Sequence, residues 1–228
     1  MPDSSRSDPA PGVRQTLVGG APVSRAQIEA ALVHAPRLVA VDGGADAVLA
    51  AGLVPDLVVG DLDSISPAAR AAFADRTLHI AEQDSTDFAK ALRSSPAALS
   101  LGVGFIGARA DHFLSVLTAM AQAAAPVILL SREECICLAP ASLSLDLAPG
   151  TRVSLWPLGP ARGTSRGLRW PIDGIAFSPV TRTGTSNEAT GPVTLSIEGD
   201  MVLLLPADVL PDLLAAFARS RGADATAL

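Results

Sequence analysis

The chain has 228 residues, a hydrophobic fraction of 49% and a formal net charge of −6. It is long enough to bury one large core or two smaller ones. The acidic balance and the lack of a basic cluster argue against a nucleic-acid surface, so we expect small-molecule partners. No apolar run reaches the roughly 18 residues that a membrane span needs, and no basic segment followed by an apolar one opens the chain. We therefore expect a cytoplasmic protein.

The first three fifths of the chain predict a short tail and an α/β domain. Residues 1–12 are polar and predict a disordered tail. Residues 13–138 alternate short apolar runs with Ala-rich helical segments, which is typical of a mainly parallel sheet flanked by helices. The predicted strands are TLVGG, RLVAVDGG, PDLVVGD, TLHIAEQ, LSLGVGFIG and PVILLS. The segments between them predict helices.

Several helix ends carry capping signals. Ser24 and Gln27 have the spacing of a capping box, and Gly52 closes the second predicted helix. Ser66 followed by Pro67 predicts the start of the third helix. The helix in TDFAKALRSS begins after either Ser85 or Thr86.

Residues 139–228 predict an all-β, sandwich-like C-terminal domain that ends in a helix. Its short segments SLSLDL, RVSLWPL, GLRWP, GPVTLSI and MVLLLP are separated by Gly and Pro turns, and PADVLPDLLAAFARS predicts the helix. Cys135 and Cys137 lie two residues apart on one predicted strand, which excludes a disulfide framework. We expect both cysteines to be reduced core thiols.

Carboxylates follow several predicted strands of the first domain. Asp42, Asp61, Asp63, Asp84 and Asp111 come at or just after strand ends, and Asp87 lies one turn into the next helix. Ligands bind beyond the carboxyl ends of strands in an open parallel sheet, so these side chains predict a binding site. Their mutual repulsion would raise their pKa values unless a cation lies among them, and Mg²⁺ is the natural candidate because it binds carboxylates together with substrate phosphates. The competing interpretation is that they are caps and turn residues.

Two basic residues flank the predicted acidic site. Lys90 is the only lysine of the chain and lies three residues after Asp87, so its compact ammonium is predicted to meet a phosphate. Arg109 stands between Gly107 and Asp111 and is suited to grip a phosphate with two hydrogen bonds. Glycines such as Gly43 leave room for a ligand. Together these residues predict a phosphoryl-transfer site without a Walker motif.

Four motifs in order connect these residues to a known family: VDGGAD, PDLVVGDLDS, QDSTDFAKAL and GARADH. A weaker fifth lies in LRWPI and GTSNEATGPV. On these motifs the chain resembles the thiamine pyrophosphokinase (thiamine diphosphokinase) family. It departs from the family pattern at Ala108, where a second glycine is usual, and in the terminal helix.

The resemblance implies a fold, an assembly and a reaction. It implies an α/β nucleotide domain, a β-sandwich and a homodimer with thiamine at the subunit interface. The implied reaction is Mg²⁺-dependent transfer of a diphosphoryl group from ATP to the hydroxyl of thiamine, giving thiamine diphosphate and AMP.

The resemblance also implies a set of site residues. Implied metal ligands are Asp61 and Asp63 with Asp84 or Asp87; the ATP site would include Asp42, Gly43, Gln83, Thr86, Lys90, Arg109, Asp111 and His112; thiamine would contact Ser186, Asn187 and Glu188. The implied catalytic residues are Asp61, Asp63, Asp87 and Asp111, with Asp63 or Asp111 as a candidate proton acceptor. Trp170 is predicted either to stack on the thiamine cation or to lie in the sandwich core.

Two other functions fit parts of the sequence. VVGDLDS resembles the nucleophile loop of a haloacid-dehalogenase-like phosphatase, in which the first aspartate becomes phosphorylated. A thiamine or nucleotide sensor that binds without turnover would keep the same ligand shell. Asp61→Asn and Asp63→Asn variants separate the three, because only the kinase loses AMP formation.

Overall fold

The computed structural model describes residues 12–107 and 109–224 and separates the chain into two compact units, with the division between Ser131 and Arg132. Most of the predicted N-terminal tail, residues 1–11, and Ala108 lie outside the described residues. The sequence placed the boundary after residue 138. The division falls earlier because the strand Glu134–Leu138 pairs with the strand Met201–Pro206 of the second unit.

The first unit contains six strands whose described pairs are all parallel. Along the chain they are β1 Arg14–Val18, β2 Arg37–Val41, β3 Leu57–Gly60, β4 Thr77–His79, β5 Leu99–Val103 and β6 Val127–Leu130. Their order in the sheet is β6-β5-β1-β2-β3-β4. All five residues of β5 are buried, as expected for a parallel strand covered on both faces.

The helices of this unit are α1 Arg25–Leu32, α2 Gly44–Ala50, α3 Pro67–Ala72, α4 Asp87–Ser94 and α5 Ala110–Gln122, with a short 3-10 helix at Ala74–Arg76. The predicted caps are present. Ser24 and Gln27 form the reciprocal capping box, and the Ser66 hydroxyl accepts the Ala69 N–H at 3.2 Å. Thr86, rather than Ser85, caps α4, since its hydroxyl accepts a hydrogen bond from the α4 backbone.

One predicted strand is shorter than expected. TLHIAEQ forms a strand only over Thr77–His79, and the remaining residues form a loop. The reason lies in its neighbour: β3 ends at Gly60, which pairs with His79, so the chain beyond Ile80 has no strand to pair with there. The loop carries the next group of polar residues toward the start of α4.

The second unit is antiparallel throughout its described strand pairs. Its strands are β7 Glu134–Leu138, β8 Ser142–Leu145, β9 Arg152–Pro157, β10 Arg162–Leu168, β11 Gly184–Glu198 and β12 Met201–Pro206, followed by a 3-10 turn and helix α6 Leu210–Asp224. The first half of β11 pairs with β9, and its second half lies between β8 and β10. One long strand therefore belongs to both antiparallel groups.

The structure bears on three further sequence predictions. Cys135 and Cys137 are free and buried, which confirms the prediction of core thiols, and burial raises the pKa of Cys135 to about 12. Strand β10 begins at Arg162 and ends before GLRWP is complete, while GTSNEAT, not predicted as a strand, forms the first half of β11. Within the described residues, no helix combines the length and the apolar character needed to cross a membrane.

Candidate active site

A cavity of about 760 Å³ opens in the first unit where the parallel strands end. Its wall includes residues that follow β1, β2, β3 and β5 and residues at the starts of α4 and α5. Two glycines allow the chain to pass closely there. A Cβ on Gly19 would lie 2.5 Å from the carbonyl oxygen of Gly104, Gly104 has a φ of +74°, and both glycines line the cavity. Part of the cavity wall is therefore glycine backbone, which lets a ligand approach main-chain groups.

Three carboxylates meet at the rim of this cavity. Asp42 follows β2, and Asp61 and Asp63 follow β3; one carboxylate oxygen of each lies within 4.8 Å of those of the others. The predicted convergence of Asp61 and Asp63 is thus present in the structure. Asp42, which the resemblance places among the ATP-site residues, is the third member of the cluster.

The surroundings of Asp42 disfavour the charged form of its carboxyl group. It is buried, its backbone has a φ of 44°, and its Oδ1 has no hydrogen-bond partner among the described residues. Burial raises the pKa of this carboxyl, and the nearby negative charge of Asp87 adds to the effect. A buried carboxylate oxygen without a donor is rare in folded proteins, and it is well suited to a cation.

The loop that carries Asp61 and Asp63 is strained between them. Leu62 has a φ of 66°, in the left-handed region that a residue with a Cβ seldom adopts. Two contacts support this conformation: the guanidinium of Arg70 donates to the Leu62 carbonyl, and the Ser66 N–H donates to Asp46 Oδ2 at 2.9 Å. The positions of the two acids thus depend on helices α2 and α3.

Asp61 and Asp87 share a buried ammonium. The Nζ of Lys90 lies 2.9 Å from Asp87 Oδ1 and 3.3 Å from Asp61 Oδ2, and the Lys90 side chain is only 1% exposed. Burial opposes the charged form of Lys90, but its two carboxylate partners outweigh burial and raise its pKa. Burial likewise opposes the charged form of Asp61, but the Asp63 N–H, Gln83 and Lys90 outweigh it and lower the pKa of Asp61.

Arg109 and Asp111 form an exposed pair at the start of α5. The guanidinium of Arg109 makes two hydrogen bonds to the Asp111 carboxylate, at 2.6 and 3.1 Å. This pairing lowers the pKa of Asp111. Arg109 and His112 line the cavity, so the predicted guanidinium is placed where a ligand would meet it.

The other predicted residues of this unit divide into two groups. Gly43, Gln83, Thr86 and Asp87 line the cavity. Asp84 is not among the described residues that line it, and its N–H donates to Glu82 Oε2 in a turn at 2.8 Å. Of the two aspartates left open by the sequence, Asp87 is therefore the one placed at the cavity, although its Oδ1 already accepts from Lys90 and from the Asp61 N–H.

The sequence prediction missed several residues that line the cavity, among them Asp46 and Phe105. Asp46 lines the cavity and holds the Ser66 N–H, and it belongs to the quoted motif VDGGAD, so the motif itself was a signal for it. Phe105 lines the cavity and packs edge-to-face on Phe88, with ring centroids 4.6 Å apart. No residue spacing in the sequence indicated this contact.

The predicted thiamine residues lie together in the second unit. Asn187 is buried and holds the backbone of Trp170 with two hydrogen bonds. Its Oδ1 accepts the backbone N–H of Trp170 at 3.2 Å, and its Nδ2 donates to the Trp170 carbonyl at 2.7 Å. Ser186 has a φ of 60°, and its N–H donates to Ser154. Glu188 Oε2 lies 3.4 Å from Arg169, whose guanidinium lies 5.0 Å from the centroid of Trp170.

The exposure of Trp170 distinguishes between its two predicted positions, in the core or beside a ligand. Its side chain is 54% exposed, so it is not a core residue of the second unit. Asn187 fixes its backbone while its ring remains accessible. The ring already stacks with one cation, that of Arg169.

The first unit is, by fold, an α/β domain with an acidic cavity at the carboxyl edge of a parallel sheet, the edge at which such domains bind ligands. Comparison with known proteins narrows this class. Residues 28–129 match the family model described as thiamin pyrophosphokinase, catalytic domain, and the matched segment includes the whole acidic cluster. The resemblance read from the motifs to the thiamine pyrophosphokinase family is therefore confirmed.

Two curated relatives carry the same family name. The chain is 29% identical to thiamine pyrophosphokinase 1 of Oryza sativa subsp. japonica, over 58% of this chain and 58% of the relative. It is 26% identical to thiamine pyrophosphokinase 3 of the same organism, over 65% of this chain and 64% of the relative. The chain thus spans about three fifths of the length of these relatives.

Solved structures extend the likeness of fold to most of the chain. A thiamin pyrophosphokinase from Candida albicans superposes with a TM-score of 0.72 at 16% identity, covering 90% of this chain and 94% of that one. One from Geobacillus thermodenitrificans gives 0.68 at 23% identity, covering 84% and 96%. The chain therefore has the fold of these proteins, a mixed sheet flanked by helices.

Proposed function

We propose that this protein is a thiamine diphosphokinase, which transfers the diphosphoryl group of ATP to the hydroxyl of thiamine and releases AMP. The observation that carries the proposal is the convergence of Asp42, Asp61 and Asp63 at a cavity within the segment that matches the catalytic-domain family. The volume of about 760 Å³ suits a small-molecule site.

The residues present fit a hard divalent cation. All three members of the cluster offer carboxylate oxygens, and the unpartnered Oδ1 of Asp42 is a buried acceptor that a cation would satisfy. We propose that Asp42, Asp61 and Asp63 hold Mg²⁺, with Asp87 next to them. When bound, the cation would neutralise charge on the phosphates of ATP. Asp84 is not part of this proposed set.

The chain's own groups would position ATP by charge and backbone. Glycines in the cavity wall would let phosphates approach main-chain N–H groups, and the guanidinium of Arg109 is held at the cavity by Asp111. Gln83, Thr86 and His112 line the same cavity and are proposed ATP contacts. Attack at the β-phosphorus requires that these contacts align the acceptor oxygen opposite the AMP leaving group.

Little help with the proton of the acceptor hydroxyl is needed, because phosphoryl transfer passes through a loose transition state. Asp63 is exposed at the rim and is our preferred acceptor for this proton. Asp111 is the weaker candidate, because both of its carboxylate oxygens already accept hydrogen bonds from Arg109.

We propose that the second unit supplies the recognition of thiamine. Thiamine is a cation, and the exposed Trp170 ring beside the Glu188 carboxylate offers both a π-face and a negative charge. Asn187 would fix the backbone around this ring, and Ser186 would be an additional contact. The cytoplasmic location and the homodimer with thiamine between subunits remain predictions from the sequence.

The test is a chromatographic assay of the purified protein with ATP, Mg²⁺ and thiamine. Equal amounts of AMP and thiamine diphosphate are expected. ADP with thiamine monophosphate would move the attack to the γ-phosphorus. No thiamine-dependent product, together with retained thiamine binding, would indicate a sensor, and phosphate release from simple esters would indicate a phosphatase.

A further inference from the structure

Lys90 contacts the inner side of the acidic site. Its ammonium donates to Asp87 Oδ1 and Asp61 Oδ2, and both of these carboxylates line the cavity. Lys90 is not among the described residues that line it, and 1% of its side chain is exposed. The two carboxylates therefore stand between the ammonium and the space that a ligand would fill.

Further hydrogen bonds connect Lys90 and its two carboxylate partners to the backbone of the acidic loop. Asp87 Oδ1 also accepts the Asp61 N–H at 3.1 Å, so Lys90, Asp87 and the start of the acidic loop are linked in a triangle. A second donor, Gln83, reaches the same Asp61 oxygen from the solvent side at 3.1 Å. Asp61 thus has its orientation fixed from both sides.

Charge explains why a cation is placed there. Five carboxylates line the cavity, those of Asp42, Asp46, Asp61, Asp63 and Asp87, and each would disfavour ionisation of the others. A buried ammonium offsets part of that repulsion and survives burial only because it is paired. An exposed lysine would be free to swing toward a phosphate, but this one has no such freedom.

We infer that Lys90 is a positioning residue, an internal counter-ion that holds Asp61 and Asp87 together when no cation is bound, and that it does not contact ATP. This inference rests on the proposed function for its catalytic meaning, and it replaces the role of phosphate contact that the sequence suggested. It assigns Lys90 a measurable role in the protein without any ligand. A lysine whose only role is to contact phosphate would leave the stability of the ligand-free protein unchanged.

The experiment compares Lys90→Met with wild type by thermal unfolding, in metal-free buffer and across a series of Mg²⁺ concentrations. We expect the metal-free variant to unfold about 5–10 °C lower, because two carboxylates lose a buried partner. We also expect Mg²⁺ to raise its unfolding temperature more than it raises that of wild type, because the cation then offsets charge that Lys90 no longer does. The matched control is Arg93→Met on the same helix, where the cation pairs with Glu82 on the surface and a shift of about 2 °C or less is expected.

A second measurement addresses the nucleotide directly. The affinity for ATP in the absence of Mg²⁺ is measured by calorimetry. We expect it to differ by less than about threefold between Lys90→Met and wild type, because an indirect role leaves the phosphate contacts intact. Unchanged metal-free unfolding combined with a loss of ATP affinity of tenfold or more would overturn the inference. Neither readout depends on thiamine turnover, so both stand if the proposed reaction fails.

A double variant covers the case in which Lys90→Met folds poorly. Combining Lys90→Met with Asp87→Asn replaces the ion pair by neutral groups, and the introduced amide oxygen still accepts the Asp61 N–H. The double variant is expected to unfold at a higher temperature than Lys90→Met alone. A double variant less stable than Lys90→Met, with additive losses, would contradict the counter-ion role.

Discussion

The acidic cluster of the first unit and the cluster around Trp170 in the second unit hold their charges in opposite ways. Asp42 and Lys90 are buried: one oxygen of Asp42 already has no partner among the described residues, and removing the carboxylate partners of Lys90 would leave its charge away from water. Arg169, Glu188 and Trp170 are all partly exposed, so water screens their interactions. Because of this difference, we expect substitutions in the first cluster to change both protein stability and catalysis. Substitutions in the second cluster should change mainly the affinity for a ligand.

Asp63→Asn should have the largest effect on activity. Asp63 belongs to the acidic cluster but is exposed, so the variant removes a charge from the site without leaving a buried group unpaired. We expect kcat for AMP formation to fall by about 10²-fold to 10³-fold with little change in unfolding temperature. Asp75→Asn, an exposed acid in the short 3-10 helix, is the control and should retain full activity. Equal activities of the two variants would remove Asp63 from the proposed site.

Asp42→Asn should raise the stability of the metal-free protein and lower its affinity for Mg²⁺. Burial raises the pKa of Asp42 above its value in the unfolded chain, so its contribution to stability is present below the unfolded pKa and is lost as pH rises through the higher native pKa. In metal-free buffer at pH 7 the variant should therefore unfold at a higher temperature than wild type, and its stability should decline less as pH rises from acid. Its affinity for Mg²⁺ should drop on the order of tenfold. Lower stability than wild type at pH 7 would show that the charged form of Asp42 is not a burden.

Trp170→Ala should affect the thiamine step alone. With 54% of the side chain exposed, its removal leaves the unfolding temperature within a few degrees of wild type. We expect KM for thiamine to rise about tenfold through loss of the cation–π surface, with KM for ATP unchanged. Trp156→Ala, which removes the other tryptophan, should leave KM for thiamine unchanged. If both variants behave alike, Trp170 has no special role.

Glu188→Gln should give the smallest effect. Its carboxylate lies 3.4 Å from Arg169 on the surface, and such a pair contributes at most about 1 kcal/mol. We expect a two- to fivefold rise in KM for thiamine that diminishes at high salt. Glu198→Gln is the matched control, because Glu198 lies on the same strand and pairs with Arg162 at 2.8 Å. A rise in KM that is independent of salt would argue against an electrostatic contact.

Local sequence signals predicted the framework and the place of the site. The caps at Ser24, Ser66 and Thr86 depend on neighbouring residues and were readable from spacing. The convergence of Asp61 and Asp63 followed from a general property of parallel sheets, that their carboxyl ends meet at one edge.

The features that sequence did not reveal depend on tertiary packing. The burial of Lys90 results from the packing of α4 beneath the acidic loop, so a lysine predicted to reach a phosphate instead points inward. The orphaned oxygen of Asp42 likewise depends on what lies around it. In the second unit, apolar neighbours in GLRWPI suggested a core tryptophan, but Asn187 holds this segment so that the ring stays exposed.

The burial of Leu62 and its backbone conformation favour different types of residue. Its side chain is 6% exposed and therefore favours a large apolar residue, whereas its backbone, with a φ of 66°, favours glycine or asparagine. No natural amino acid satisfies both. Saturation mutagenesis at this position should therefore return very few active variants, with the β-branched residues eliminated first, and the short connection between the two acids should tolerate less drift over evolutionary time than its apolar character suggests.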